Sequence, residues 1–275
     1  MMNLPYVTLR LIRHFLPDSW VVFLKNRNIL VQPGLETHSP FKAVEHHRQV
    51  LTRHGLELAN KKVMVFGYGG NLSIGCELLN AGAGMVFLVE QKRFKDDFDI
   101  RKISQNYPGC FIDQSGKTIP NPGKMRLFHD DLENIMQRSD YEKVDLVLSN
   151  SVFEHVREPL PVAVQLAKMT KAQGSQLHFI DLRDHYFKYP FEMLCYRDQT
   201  WNRWLNPTSH LNRLRIHNYR EIFQQAFRHV EIVMDASDKD DYLASLNRIK
   251  PEFISGNPEE DSATLIHVVC QNPIS

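Results

Sequence analysis

From Lys61 onward, seven short apolar runs follow one another along the chain, and helix-length stretches of mixed apolar and polar residues separate them. Runs of this length bounded by turn residues are typical of β-strands, and their alternation with helices indicates parallel strands joined by helical crossovers. The sequence therefore predicts an α/β fold: a doubly wound, mostly parallel seven-stranded sheet with helices on both faces. The predicted strands are Val63–Phe66, Met85–Val89, Arg126–His129, Val144–Leu148, Gln176–Asp181, His229–Met234 and Thr264–Cys270.

The first sixty residues carry helical signals and no strong strand signal. Ser39 is suited to the N-cap of a helix that has Pro40 at its first position. We expect residues 1–60 to form an N-terminal helical cap on a domain of residues 61–275. Basic residues flank the apolar run Trp20–Leu24, and we expect a helix packed on its own domain there rather than a membrane contact.

Two long connections interrupt the alternation of strands and helices. The first lies between Gly82 and Arg126, and its second half is rich in Pro and Gly, which predicts a loop or a small hairpin. The second, at about residues 183–217, is an insertion rich in aromatic and basic residues.

Composition excludes few functions, but it indicates the cellular compartment and the classes of ligand to expect. The net charge is +1 and 24% of residues are charged, so no overall field favours nucleic acid or an anionic membrane. The four cysteines are widely spaced and form no CxxC pair, which argues against a thiolate zinc site or a disulfide framework. No apolar run reaches eighteen residues, and the N-terminus does not resemble a signal peptide. We expect a cytoplasmic protein without a transmembrane segment.

A glycine turn, Gly67-Tyr68-Gly69-Gly70-Asn71, follows the first predicted strand, and Glu90 ends the second. Glycines let the backbone approach a ligand closely, and a carboxylate at the tip of the next strand can accept hydrogen bonds from ribose hydroxyls. The pattern predicts a nucleotide-cofactor site. Enzymes that bind dinucleotides and enzymes that bind S-adenosylmethionine both use it.

Polar residues also follow the other predicted strands. In an open α/β sheet, ligands bind outside the carboxyl ends of the strands, where the strand order reverses. Polar residues also simply begin loops, so each position alone is ambiguous, but their joint occurrence with the glycine turn favours a site. The candidates are Asp130, Asp131, Ser149, Asn150 and Asp181 to His185.

The segment Val144-Asp-Leu-Val-Leu-Ser-Asn-Ser-Val-Phe-Glu-His-Val-Arg-Glu-Pro159 distinguishes the two cofactor classes. It resembles the fourth strand and following loop of the class I methyltransferases that use S-adenosylmethionine, and the resemblance extends over residues 61–275. A dinucleotide fingerprint needs a third glycine where Leu72 stands.

The resemblance implies S-adenosylmethionine as cofactor, and it implies a role for the residues that follow or end each of the first four strands. Gly67, Tyr68, Gly69, Gly70 and Asn71 would approach the methionine part, and Glu90 would bind the ribose. Asp130, Asp131 and Leu132 would line the adenine, and Ser149 and Asn150 would border the transferred methyl group.

Two positions depart from the family pattern. The family usually has an acid two residues before the first glycine and a third alternating glycine, where this chain has Val65 and Asn71. These departures keep open a second hypothesis, a catalytically silent module that retains the sheet.

Two histidines are candidates for the catalytic base, because imidazole titrates near neutral pH. His155 follows the fourth strand and His185 follows the fifth. His155 could instead pack on the cofactor or cap the next helix, and His185 could be an exposed loop residue. We predict no metal site; in particular, His46 and His47 are adjacent on a helix and face different directions.

The insertion supplies the acceptor candidates Arg183, Asp184, Tyr186 and Arg213. Aromatic rings interleaved with arginines can stack on a sugar and hold an anionic group. The same composition could stack nucleic-acid bases or form a small core over the sheet edge, which the spacing of Trp201 and Trp204 fits. We expect methylation of a small molecule or glycan, on oxygen rather than nitrogen. RNA methylation is less favoured because the overall charge gives it no support.

Overall fold

The computed structural model describes residues 3–15, 39–91, 100–185, 188–206 and 210–274. Seven strands form one sheet, and two more form a separate hairpin. The sheet strands are β1 (Lys62–Phe66), β2 (Met85–Glu90), β5 (Met125–His129), β6 (Val144–Asn150), β7 (Thr170–Asp181), β8 (Phe227–Ser237) and β9 (Ala263–Pro273). The hairpin strands are β3 (Phe111–Gln114) and β4 (Lys117–Pro120).

The described α-helices fall between the strands and at the N-terminus. They are α1 (Leu4–Phe15), α2 (Pro40–Arg53), α3 (Ser73–Asn80), α4 (Ile100–Asn106), α5 (Leu132–Met136), α6 (Pro159–Met169), α7 (Asp198–Thr200), α8 (Ile216–Gln224), α9 (Lys239–Ser245) and α10 (Pro258–Asp261). A π-helical turn, Trp201–Leu205, continues α7. Short 3₁₀ turns lie at Pro108–Cys110, Phe153–His155, Glu192–Cys195 and Pro251–Phe253.

The strand order is β5-β2-β1-β6-β7-β9-β8. The strands from β5 to β7 are parallel, whereas β9 runs antiparallel to both of its neighbours, β7 and β8. The chain moves outward from β1 to β5 and then returns to start β6 on the other side of β1. The order therefore reverses between β1 and β6, which is where such sheets bind ligands.

Alternating side chains of the strands enter two apolar layers, because successive residues of a strand point to opposite faces. Val63 and Val65 pack with buried residues of α2, α3 and α4 on one face. Met64 packs with α5, α6 and α8 on the other face. The predicted doubly wound sheet with helices on both faces is confirmed.

A third apolar cluster lies apart from the two sheet layers. Tyr6 of α1 packs there with residues of the insertion, such as Phe191 and Trp201, and with Tyr242 of α9. In contrast, α2 contributes Val44 and Leu51 to a sheet layer. The two described helices of the N-terminal segment therefore serve different parts of the molecule.

Local details differ from the sequence expectations at a few positions. β7 begins at Thr170, six residues before the predicted Gln176, because its first residues continue directly from α6. The turn-rich connection before β5 contains the β3–β4 hairpin, one of the two expected forms. Ser39 occupies the N-cap of α2, but its side chain makes no capping hydrogen bond.

Within the described ranges, no helix combines the length and apolar character that a membrane span requires. The predicted helix at Trp20–Leu24 lies outside the described residues.

Candidate active site

A cavity of about 720 Å³ lies at the carboxyl ends of β1, β2, β5 and β6, beside the reversal of strand order. Another cavity, of about 550 Å³, lies near Lys61 and Asp145, at the opposite ends of β1 and β6. The 720 Å³ cavity is the candidate site because loops after four parallel strands converge on it. Its lining comprises Phe66, Gly67, Val89, Glu90, Gln91, Asp130, Asp131, Leu132, Glu133, Val152, His155, Val156, Arg157, Glu158, Pro161, Val162 and Gln165.

The glycine turn after β1 has the backbone form that its sequence predicts. Gly67, Gly69 and Gly70 have φ values of +77°, +67° and +82°, a region that side chains disfavour. A Cβ atom at Gly67 would also lie 2.4 Å from a Val152 methyl carbon. Glycine at position 67 thus lets the turn and the loop after β6 meet at the cavity.

Glu90 at the end of β2 lies beside this turn. Its Oε2 accepts a hydrogen bond from the Gly69 N–H at 3.4 Å, and its Oε1 accepts one from the Gln91 N–H at 3.3 Å. Burial raises the pKa of Glu90, and these two N–H donors oppose the rise. The carboxylate is therefore held at the cavity wall next to the glycine turn.

Two further residues of the turn, Tyr68 and Asn71, make contacts that sequence alone does not show. The Tyr68 hydroxyl lies 2.7 Å from His129 Nε2, and Asn71 Oδ1 accepts the Ser73 N–H at 3.0 Å. Tyr68, Gly69, Gly70 and Asn71 do not line the cavity, whereas Gly67 does. Their contacts stabilise the turn that places Gly67.

The loop after β5 brings Asp130, Asp131 and Leu132 to the cavity together. Asp130 Oδ1 accepts from Asn134 Nδ2 at 2.7 Å and from the Asp131 N–H at 2.8 Å. The Asn134 hydrogen bond is the main cause of a lowered Asp130 pKa. Gln91 Nε2 donates to Asp131 Oδ1 at 2.8 Å and so links the ends of β2 and β5. The sequence analysis did not single out Gln91.

Ser149 and Asn150 end β6 without lining the cavity. Ser149 is fully buried, and its Oγ lies 2.8 Å from His178 Nδ1 on the neighbouring strand. Ser151 Oγ donates to Asn150 Oδ1 at 3.4 Å. The residues of this loop that line the cavity are instead Val152 and His155 to Glu158.

His155 and His185 meet, although thirty positions separate them in the sequence. Their ring centroids are 4.9 Å apart with an interplanar angle of 70°. Glu154 joins them: among the described residues, the ligand-type atoms of these three side chains lie within 4.8 Å of one another. Because His155 also lines the cavity, this Glu154–His155–His185 cluster borders the candidate site.

Burial shifts the pKa values of all three cluster residues toward the neutral forms. It raises the Glu154 pKa to about 8 and lowers the His185 pKa to about 4, with the neighbouring His155 as the second cause for His185. Burial also lowers the His155 pKa. Near neutral pH both imidazoles are uncharged and have a nitrogen lone pair.

The loop that carries Glu154 and His155 is braced by the end of the insertion. Asn212 donates its backbone N–H to the Glu154 carbonyl at 2.9 Å, and its side-chain Nδ2 donates to the Phe153 and Val156 carbonyls at 2.7 and 2.9 Å. His155 Nδ1 lies 2.7 Å from the His210 carbonyl. Sequence analysis missed Glu154 and Asn212. A charged residue inside the run Val-Phe-Glu-His-Val was the available signal for Glu154.

The predicted acceptor residues that the structure describes, Arg183, Asp184 and Arg213, do not line the cavity. Arg183 forms two hydrogen bonds with Asp181, from Nε at 2.9 Å and from Nη2 at 2.7 Å, which raise its pKa. Asp184 is buried and pairs with Arg10 and the Tyr6 hydroxyl. Tyr186 lies outside the described residues.

Arg213 is buried, with a φ of +62°. It donates to the carbonyls of Met193 and Tyr196 at 2.8 and 2.7 Å, and it pairs with Asp198. This placement argues against the predicted contact of Arg213 with an acceptor, because its guanidinium binds groups of the fold.

Comparison with known proteins shows similarity in fold and little in sequence. No family model matches the sequence, and no curated protein matches it by sequence. A protein assigned as a sarcosine dimethylglycine methyltransferase from Galdieria sulphuraria superposes with a TM-score of 0.50 and 11% identity, over 93% of this chain and 98% of that chain. The chain has the class I methyltransferase fold.

Two other solved structures are similar at lower scores. A protein assigned as a methyltransferase from Bacillus halodurans gives a TM-score of 0.46 at 12% identity, over 83% of this chain and 100% of that chain. The N-methyltransferase NodS from Bradyrhizobium japonicum, in complex with S-adenosylhomocysteine, gives 0.44 at 13% identity, over 86% and 90%.

Within this methyltransferase fold, helix α3 packs closely on the sheet at Gly75. A Cβ atom there would lie 2.5 Å from the Met125 sulfur and 3.2 Å from a Leu88 methyl carbon. The dinucleotide fingerprint uses its third glycine for close helix packing, and here a glycine three positions after Leu72 allows it.

Proposed function

We propose that this protein transfers a methyl group from S-adenosylmethionine to a hydroxyl oxygen of a small molecule or glycan. One observation carries the proposal: a single cavity joins the glycine turn, the Glu90 carboxylate, the loop at Asp130 and the His155 imidazole. Cofactor-side and acceptor-side groups thus share one space at the reversal of strand order.

The cofactor side consists of the Gly67 backbone and three carboxylates, those of Glu90, Asp130 and Asp131. Gly67 has no Cβ that would close the gap to Val152, so the methionine part can approach the turn. Glu90 is the acceptor for ribose hydroxyls, and Asp130, Asp131 and Leu132 border the adenine. S-adenosylmethionine supplies an electrophilic methyl group when bound, so the chain's own residues mainly orient the reactants and exclude water.

The acceptor side lies near His155. The His155 Nδ1–H donates to the His210 carbonyl, which leaves Nε2 with a lone pair. Such an imidazole can receive the proton of an acceptor hydroxyl or orient that hydroxyl. His185 stands against the His155 ring and completes this side.

A second candidate is a silent binding module, which one observation favours. Val65 stands where the family usually has an acid, and it is fully buried in β1 among residues of a sheet layer. No carboxylate is therefore available at this position for the methionine amino group.

Calorimetric titration with S-adenosylhomocysteine tests the proposal, with NAD as a parallel control. We expect micromolar binding of the first ligand and none of the second. Absence of binding to either ligand would overturn the proposal in favour of the silent module, and binding of NAD alone would indicate a dinucleotide protein.

A further inference from the structure

Within the part of the chain that the structure describes, the Glu154–His155–His185 cluster contains a buried carboxylate oxygen without a hydrogen-bond partner. Glu154 is 3% exposed. Its Oε1 accepts the Asp181 N–H at 3.4 Å, whereas its Oε2 is buried and has no hydrogen-bond partner among the described residues. A buried polar atom without a partner costs roughly 1 to 3 kcal/mol. A bound ion is one kind of partner that would remove this cost.

The orientation of His155 is that of a metal ligand. A ligating imidazole usually donates its second ring N–H to a carbonyl or carboxylate, which fixes the ring and its tautomer. His155 does this through Nδ1, 2.7 Å from the His210 carbonyl, so that Nε2 has the lone pair. The hydrogen bonds from Asn212 to the Phe153 and Val156 carbonyls hold the same loop.

Two ion pairs hold the loop that carries His185. Asp181, four positions earlier, pairs with Arg183, and Asp184, the immediate neighbour, pairs with Arg10. Both carboxylates are therefore bound to arginines, and Glu154 is the carboxylate of the cluster itself. The donor set is two imidazole nitrogens and one carboxylate oxygen.

The geometry points to a divalent transition-metal site formed by Glu154, His155 and His185 at the wall of the candidate cavity. Two nitrogen ligands and one oxygen ligand suit ions such as Zn²⁺ or Mn²⁺, and three protein ligands leave positions open for another group. Since His155 lines the cavity, the site lies at the cavity wall.

The spacing of the ligand atoms is compatible with a site that closes on its ion. Ligands at about 2.1 Å from a tetrahedral ion lie about 3.4 Å from one another. The three ligand atoms lie within 4.8 Å of one another, so an approach of roughly an ångström completes the site. Side-chain rotation is sufficient for a movement of this size.

The ion would give the acceptor a second binding point. Its open positions favour an oxygen ligand, so the acceptor class would present a hydroxyl, or a pair of neighbouring oxygens, to the ion; this role rests on the proposed function. Ligated histidines have no free lone pair, so His155 and His185 would position the acceptor and not act as the base. The sequence expectation of no metal site considered cysteines and one histidine pair, and it did not bring these three residues together.

Titration of chelator-treated, full-length protein with ZnCl₂ and separately with MnCl₂ tests the site. We expect one ion per chain for at least one of the two metals, with micromolar or tighter affinity. Glu154→Gln should weaken binding at least tenfold, because glutamine keeps the shape of the side chain and removes the charged ligand. His185→Asn should weaken it to a similar extent.

Glu133→Gln is the matched control, since Glu133 lines the same cavity outside the cluster. It should leave the metal affinity unchanged. Absence of binding to both ions overturns the metal site, as does a one-ion affinity that survives both cluster substitutions.

Titration of the same variants with S-adenosylhomocysteine separates this inference from the proposed function. Retained binding of that ligand by Glu154→Gln shows an intact fold and cofactor site, so a lost metal affinity then reports on the cluster. Cofactor binding without metal binding in the parent protein overturns the metal site alone. Metal binding without cofactor binding overturns the proposed function and leaves the site.

Discussion

Glu90 is a carboxylate whose position follows from neighbouring backbone groups. The N–H groups of Gly69 and Gln91 hold it at the end of β2, beside the glycine turn. A strand-end acid can be recognised in the sequence because its role depends on a local pattern: a glycine turn, one helix and the next strand. Local patterns of this kind also identified Asp130 and Asp131 as residues of the cavity wall.

Substitution of Glu90 tests the cofactor side at the level of one residue. Glu90→Ala should weaken binding of S-adenosylhomocysteine at least tenfold, about 1.4 kcal/mol, because the ribose hydroxyls lose their acceptor. Calorimetry provides the affinity, and circular dichroism checks the fold. Glu221→Ala, an exposed change on α8, should alter neither. An unchanged affinity for Glu90→Ala would remove the ribose assignment.

The partners of Asp184 and Arg213 could not be predicted from the sequence. Both lie in an insertion rich in polar and aromatic residues, which suggested contact with an acceptor. The partners of Asp184 are Tyr6 and Arg10, more than 170 positions away. Arg213 binds the carbonyls of Met193 and Tyr196, 20 and 17 positions earlier. Long-range partners of this kind leave no periodic or local signal, so a sequence cannot separate them from ligand-binding groups.

At the scale of elements, α1 and the insertion stabilise each other. Arg10 pairs with the fully buried Asp184 and lies over the Trp201 ring, 4.8 Å from its centroid. Tyr6 stacks on Tyr196, with ring centroids 5.8 Å apart. A helix at the start of the chain thus anchors the loop that follows β7, and that loop contains His185.

Removal of the buried arginine should destabilise the protein strongly. Arg10→Met leaves the buried Asp184 carboxylate without its cation, and we expect the free energy of unfolding to fall by about 3 to 5 kcal/mol. Arg48→Met breaks an exposed pair with Glu45 and should cost less than about 1 kcal/mol. Chemical denaturation measures both.

A double variant, Arg10→Met with Asp184→Asn, should recover part of the loss, because asparagine removes the charge and keeps an acceptor for the Tyr6 hydroxyl. If the double variant is less stable than Arg10→Met alone, the unpaired carboxylate is not the cause of the loss.

For the whole molecule, the sheet could be predicted and the acceptor side could not. Seven strands in a doubly wound, mostly parallel sheet were predicted from short-range apolar patterns and from the resemblance at Val144–Pro159, whereas the strand order comes from the structure. The Glu154–His155–His185 cluster requires the loops after β6 and β7 to meet, and this depends on three-dimensional packing. Both histidines were candidates individually, but Glu154 was not, since sequence alone does not show that its carboxylate is buried beside them.

Two neutral histidines inside the sheet layers link the stability of the whole fold to pH. His178 Nε2–H donates to Gln176 Oε1 and its Nδ1 accepts from Ser149, both at 2.8 Å; burial lowers its pKa from 6.5 to about 3. Burial also lowers the His47 pKa to about 4. Below about pH 6.5 the unfolded chain binds protons that the folded chain does not, so stability should fall as pH decreases toward these values.

The measurement is the free energy of unfolding at pH 7, 6 and 5. His178→Gln and His47→Gln should each reduce the stability lost between pH 7 and pH 5 by about 2 kcal/mol, whatever their cost at pH 7. His229→Gln, on an exposed side chain, is the control and should leave the slope unchanged. Parallel slopes for all four proteins would contradict the assignment of buried neutral histidines.

The third apolar cluster, around Tyr6, Phe191 and Trp201, shares no residue with the two sheet layers. Its members come from α1, from the insertion and from the segment between β8 and β9, and none lies in the glycine turn or at the ends of β2 and β5. Changes within this cluster therefore leave the residues of the two sheet layers and of the glycine turn unaltered. Because Tyr6 and Arg10 pair with Asp184, α1 and the insertion from Asp184 onward are a natural unit for exchange: a chimera that replaces both together should keep the glycine turn and Glu90 in place.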